Sequence, residues 1–135
     1  HLLQVTPASL HPHLFGERPV AECLVAEVDG AAGAAGTPIV GFALFFTNFS
    51  TFLGKPGLYL EDLYVQPAHR GRGLGRALLE RLGALAVERG CGRFEWRVLD
   101  WNEPSIRFYE SLGALLVPDW RFCRLDGEAL ERFGP

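Results

Sequence analysis

The spacing of apolar positions changes along the chain, and each change marks an element. Residues 21–28 form an apolar run of a strand's length. Residues 38–47 form a second, centred on Ile39-Val40-Gly41-Phe42-Ala43-Leu44-Phe45-Phe46, apolar at successive positions rather than alternate ones. A strand apolar on both faces belongs in the middle of a sheet. Leu58 to Val65 is a third strand, stopped by Pro67. From about Gly73 to Arg89 the period lengthens to that of a helix. Leu74, Ala77, Leu78, Leu82, Leu85 and Ala86 fall on one stripe facing a sheet, and Gly90 closes the helix. Phe94 to Leu99 alternates again, with Phe94, Trp96 and Val98 on one face. Asn102 to Leu112 predicts a second helix, with Pro104 in its first turn and Gly113 past its end.

The ends and connections are less regular. Residues 1–19 predict a loop and a short helix, with Thr6 as N-cap and Pro7 at the first helical position. Asp29-Gly30 and the small residues 31–36 predict a hairpin tip. Residues 48–57 predict a loop whose Phe49, Phe52 and Leu53 either wall a pocket or pack beneath it. Residues 115–117 and 121–125 predict a closing pair of short strands, and 126–133 a terminal helical turn or two. Strands in a row, then strand alternating with helix, predict an α+β (mixed α/β) fold with helices packed on a mixed sheet.

Composition narrows this to one domain. The 135 residues, 48% of them hydrophobic, can bury a core without staples, and neither repeat nor linker divides them. A net charge of −3 without a basic stripe argues against nucleic acid. No apolar run is long enough for a bilayer, and no secretory signal is visible. Cys23, Cys91 and Cys123 are odd in number and widely spaced, which predicts buried or half-buried thiols in a reducing cytoplasm rather than disulfides or a metal site. His11, His13 and His69 lack metal-ligand spacing and are expected in solvent; Trp96, Trp101 and Trp120 are expected as core or pocket walls.

The chemistry concentrates where the third strand meets the long helix. Arg70-Gly71-Arg72-Gly73-Leu74-Gly75-Arg76 opens that helix. Glycines there let backbone N–H groups approach an oxyanion, the helix dipole favours its charge, and Arg70, Arg72 and Arg76 add to it. The spacing is neither a P-loop, since Arg76-Ala77 stands where Lys-Ser/Thr is required, nor the dinucleotide Gly-x-Gly-x-x-Gly. Just upstream, Glu61 and Asp62 offer two carboxylates, which strand alternation would put on opposite faces. An anion cradle beside an acid pair predicts a phosphate-bearing cofactor and a positively charged substrate.

Gln66-Pro67-x-x-Arg70-Gly71-x-Gly73-x-Gly75 resembles the acetyl-CoA-binding turn of the GCN5-related N-acetyltransferases (GNAT), and Asn102 to Ala114 resembles the helix of that superfamily that carries a tyrosine. More narrowly, Tyr59-Leu60-Glu61-Asp62-Leu63-Tyr64-Val65 and Asp100-Trp101-Asn102-Glu103-Pro104-Ser105 resemble the diamine (spermidine/spermine) and thialysine acetyltransferase branch. The resemblance runs from about Phe15 to Phe133. It implies a central mixed, mostly antiparallel sheet flanked by helices, in a single domain 1–135; the family's first strand and helix are expected either to be missing, which would make the domain N-terminally truncated, or to lie on another chain.

The resemblance also implies an acyltransferase that moves acetyl from acetyl-CoA directly to a primary amine of a small cationic substrate, a polyamine or a lysine- or thialysine-like amino acid. A primary amine arrives protonated, so Glu61 is the expected base and Tyr109 the expected acid for the departing thiolate. The coenzyme would contact Leu63, Tyr64, Val65, Arg70, Gly71, Arg72, Gly73, Leu74, Gly75 and Arg76, then Asn102, Ser105 and Phe108. The amine would meet Glu61, Asp62, Phe52 and Asp119. Ser50 and Phe52 stand where polyamine-specific members carry Asp and Trp, which tilts the expectation toward an amino acid or toward a looser specificity. A homodimer is expected, with no metal, nucleic acid or membrane partner. The alternatives are a CoA-binding module without turnover, which the presence of Glu61 and Tyr109 disfavours, and a protein lysine or N-terminal acetyltransferase.

Overall fold

A computed structural model describes residues 3–135, which divide into two compact units, one ending at Arg97 and the other comprising Val98–Pro135. The expected opening loop therefore lies partly outside the described residues.

The first unit is a sheet with a helix on it. Its strands are β1 (Glu22–Glu27), β2 (Ile39–Ser50), β3 (Lys55–Val65) and β4 (Arg93–Trp96), in the spatial order β1-β2-β3-β4. The first two pairings are antiparallel and β3 with β4 is parallel. The apolar run 39–46 is thus central, as its composition requires. Helix α2 (Leu74–Glu88) makes the crossover between the parallel strands, because only a long connection can return a chain to run in the same direction. It buries Leu78, Leu79, Leu82 and Ala86. The stripe is rotated from the predicted one: Leu79 is buried and Ala77 exposed, because Gly75, not Ala77, lies against Leu63 of β3. Ala43, Phe45, Leu58 and Leu60 supply the sheet's side of the core.

Helix α1 (Pro7–Phe15) starts as expected. The Thr6 hydroxyl accepts from the Ser9 N–H (3.1 Å), and the Ser9 hydroxyl accepts from the Thr6 N–H (2.9 Å). The predicted loop 48–57 is mostly strand: β2 and β3 continue to Ser50 and Lys55 and are joined by a tight turn in which the Gly54 N–H donates to Ser50 (2.8 Å). Phe52 sits at this tip, 82% exposed, rather than over a pocket.

The second unit carries α3 (Glu103–Ser111) and α4 (Gly127–Glu131). The predicted closing strands do not form among the described residues. Two such short runs need the ladder of a larger sheet, and their own unit contains none; Leu115, Val117 and Phe122 are exposed. Further corrections concern exposure. Cys23 and Cys123 are exposed and Cys91 intermediate. Trp101 and Trp120 are exposed, whereas His69 is half-buried with its Nδ1 shielded from solvent.

Candidate active site

The register of β2 against β3 holds the central feature. Leu44 pairs with Asp62 and Phe45 with Leu60, so Glu61 is an extra residue on β3, a β-bulge. The buried set changes parity across it, from Leu58 and Leu60 to the half-buried Leu63 and Val65. Glu61 and Asp62 therefore both escape the helix-covered face, and both are exposed. Simple alternation predicts opposite faces, and the bulge overturns that expectation. Asp62 lies across from Leu44, between the Phe42–Tyr64 and Phe46–Tyr59 ring pairs (centroids 5.9 and 5.1 Å apart). The carboxylates thus stand on an aromatic floor on the side of the sheet away from α2.

The bulge also marks where β4 leaves β3. The last β3–β4 pair is Leu60 with Trp96, so from Glu61 onward that edge of β3 is unpaired among the described residues. The Gln66 N–H donates to Val40 on β2 (2.8 Å). By alternation along an antiparallel ladder, Leu63 and Val65 then turn their backbone groups to the open edge. Consistent with this, the Val65 carbonyl accepts from Arg70 Nε–H (2.8 Å).

Beyond Val65 the edge leads into the glycine turn. Gly71 and Gly73 have φ of +76° and +80°, left-handed backbone that a residue with a Cβ adopts at a cost. The first intrahelical bond runs from the Ala77 N–H to Gly73 (2.9 Å). Among the described residues, the N–H groups of Gly71 through Arg76 make no hydrogen bond. A row of unused donors at a helix N-terminus, in a turn with open space where the Cβ atoms of Gly71 and Gly73 would stand, fits a polyphosphate. The three arginines divide their work. Arg70 braces the turn and lies over the Tyr64 ring (5.5 Å), and Arg76 pairs with Glu80 (2.9 Å). Arg72 is exposed and forms no ion pair among the described residues.

One residue absent from the sequence expectations joins the carboxylates. Arg97, just past β4, places Nη2 4.0 Å from Glu61 Oε2 and its guanidinium 5.9 Å from the Tyr59 ring centroid. No motif points to it; only the parallel pairing brings it there. Phe52, in contrast, lies at the far end of β3, about 20 Å along the strand from Glu61.

The remaining expected residues belong to the second unit. Asn102 caps α3, its Oδ1 accepting from the Ser105 N–H (3.3 Å). Tyr109 is half-buried, its ring 5.6 Å from that of Phe108, and burial raises its hydroxyl pKa above the usual 10. Asp119 is exposed in a turn. Among the described residues no group of three His, Cys, Asp or Glu could hold a metal ion, and no helix is long and apolar enough to cross a membrane.

Comparison with known proteins brings in relatives for these features. The profile of the acetyltransferase (GNAT) family matches residues 4–114. A thialysine N-epsilon-acetyltransferase of Mus musculus is 37% identical over 96% of this chain and 78% of its own length. An L-ornithine N5-acetyltransferase of Arabidopsis thaliana is 46% identical over 69% of this chain, which spans only 41% of that protein. Among solved structures, an integron cassette protein from V. cholerae superposes with a TM-score of 0.76 at 25% identity, covering 96% of this chain and 78% of that one.

Proposed function

This chain belongs to the acetyltransferase (GNAT) family, whose members use acetyl-CoA, and we propose that it acetylates a primary amine of a small cationic substrate, with donor and amine bound together. One arrangement carries the reading: a bulged pair of carboxylates at the point where the sheet opens, at the head of a free strand edge that ends in a turn of unused N–H donors.

Each part has a physical task. The donors of Gly71 to Arg76, with the Arg72 charge, hold a pyrophosphate at the positive end of α2. The backbone of Leu63 and Val65 pairs with an amide-bearing arm as an added strand would. When bound, acetyl-CoA supplies an activated acyl group. Glu61 and Asp62 attract the ammonium form of the amine, and Glu61 takes its proton, directly or through water, which frees the lone pair. Tyr109 keeps its hydroxyl proton at neutral pH, since burial raises its pKa above 10, and so can act as an acid. Asn102, Ser105 and Phe108 would extend the coenzyme contacts, and the chain would work as one catalytic domain.

Relatives that match nearly the whole chain are named for acetylating thialysine, which favours this substrate class over protein termini. The test is incubation with acetyl-CoA and a panel of amines, read by mass: spermidine, spermine, putrescine, lysine, thialysine, ornithine and a lysine peptide. We expect acetylation of a small amine, reduced about a hundredfold or more in Glu61→Gln and Tyr109→Phe. Acetyl-CoA binding without any product would end the reading.

A further inference from the structure

We propose that the open face of the sheet extends the amine site by two further levels, Glu95 and then Arg93 with Asn48, and that these select a dipeptide with lysine at its N-terminus. The inference rests on the function proposed above and names a substrate class for it.

The levels come from the register. Leu44, Phe46 and Asn48 alternate onto the open face of β2, across from Asp62, Tyr59 and Gly57 of β3. On β4, Glu95 lies across from Tyr59 and Arg93 across from Gly57, so both share that face. At about 3.4 Å per residue along β2, the second level stands about 7 Å from the carboxylate pair and the third about 14 Å. The Phe46–Tyr59 rings, with centroids 5.1 Å apart, floor the second level. At the third, Gly57 is buried, and a Cβ there would collide with Asn48 Oδ1. The glycine is what lets the Asn48 amide lie across the strands.

The order of charge decides what fits. Glu95 is half-buried and Arg93 exposed; among the described residues neither forms an ion pair, and the half-buried Asn48 side chain makes no hydrogen bond. A carboxylate beside aromatic rings suits a second ammonium group, which both attract. Arg93 and Asn48 present N–H donors, which suit a carboxylate. Outward from Glu61 and Asp62, the face therefore asks for two positive groups and then a negative one. Extended at about 1.2 Å per bond, an N-terminal lysine followed by one residue places its α-ammonium about 7 Å from its side-chain nitrogen and its carboxylate about 12 Å away. The reversed dipeptide sets its carboxylate against Glu95 and its terminal ammonium near Arg93, so it is repelled at both levels. Free lysine ends at the second level and makes no contact at the third.

The experiment compares two isomers, lysyl-glycine and glycyl-lysine, which have the same composition and net charge and differ only in charge order. Free lysine, lysyl-glycinamide and N-acetyl-lysyl-glycine remove one group each. Values of kcat/KM for acetylation of the lysine side chain are measured for the wild-type chain, Arg93→Gln, Asn48→Leu and Glu95→Gln. Each ratio is taken on a single protein preparation, so partial misfolding cancels. We expect the wild type to prefer lysyl-glycine to glycyl-lysine by about tenfold or more. Arg93→Gln should cut the advantage of lysyl-glycine over its amide, Asn48→Leu its advantage over free lysine, and Glu95→Gln its advantage over the N-acetyl form, each by about threefold or more and mainly through KM. A wild type that treats the two isomers within about twofold of each other, or ratios unchanged within about twofold in all three variants, overturns the inference while leaving amine acetylation intact. No product from any amine with the wild type overturns the proposed function, and this inference with it.

Discussion

The two faces of the sheet use the same strands in different ways. Toward α2, Ala43, Phe45, Leu58 and Leu60 meet Leu78, Leu79, Leu82 and Ala86, and these side chains are all buried. At the rim of this face Arg89 grips Glu22 with two bonds of 2.6 and 2.7 Å. On the other face Phe42, Phe46, Tyr59 and Tyr64 form a floor that stays partly exposed and carries Glu61, Asp62 and Arg97. The strands hold ionisable groups on one side because the other side is tightly packed. The Glu61 bulge makes the division possible: one extra residue keeps Leu63 and Val65 on the core side while bringing two adjacent carboxylates to the open side.

If the packed face carries stability, Leu82→Ala should cost about 3–5 kcal/mol, read as a fall in the urea midpoint with an unchanged slope. Leu82 is 0% exposed, so its loss leaves a cavity. The converse test is Glu61→Gln. Stability should stay within about 0.5 kcal/mol while kcat/KM falls about a hundredfold, equivalent to roughly 2.7 kcal/mol of transition-state stabilisation. A large loss of stability in that variant would break the comparison.

The turn lies between these extremes. Gly73→Val puts a β-branched residue at φ +80° and should cost about 1–3 kcal/mol. By calorimetry, acetyl-CoA affinity should fall as well, since the donor row depends on that backbone. Smallest is the rim pair. Glu22→Gln should cost no more than about 1 kcal/mol, given the pair's partial exposure. Its pH dependence has a definite sign. Hydrogen bonding to Arg89 holds the Glu22 carboxyl below 4.5, so the unfolded chain takes up that proton first. The pair's contribution is complete above about pH 4.5 and is lost as pH falls through the folded value. Melting scans from pH 6 to 3 should show a steeper decline for the wild type than for Glu22→Gln.

Much of the first unit was legible because it is written in local code. The apolar run 39–46, the helical spacing of Leu78, Leu82 and Ala86, and the glycines of the turn act through neighbours a few residues away, and backbone geometry translates such spacing directly. The cap at Thr6 follows for the same reason. The predicted strands at 115–117 and 121–125 failed where that code is weakest, since a strand exists only by pairing with another.

By itself the sequence determined the succession of elements, the central place of β2, the donor-rich turn and the family to which the chain belongs, because periodicity, glycine placement and motif order are properties of a linear string. The tertiary structure alone decided which face the carboxylates share and what stands beside them. A one-residue bulge reverses the side of every residue that follows, and it shows only in the register between two strands. Arg97 meets Glu61 across 36 positions of sequence because a parallel crossover returns the chain to that spot, and no local pattern encodes that return.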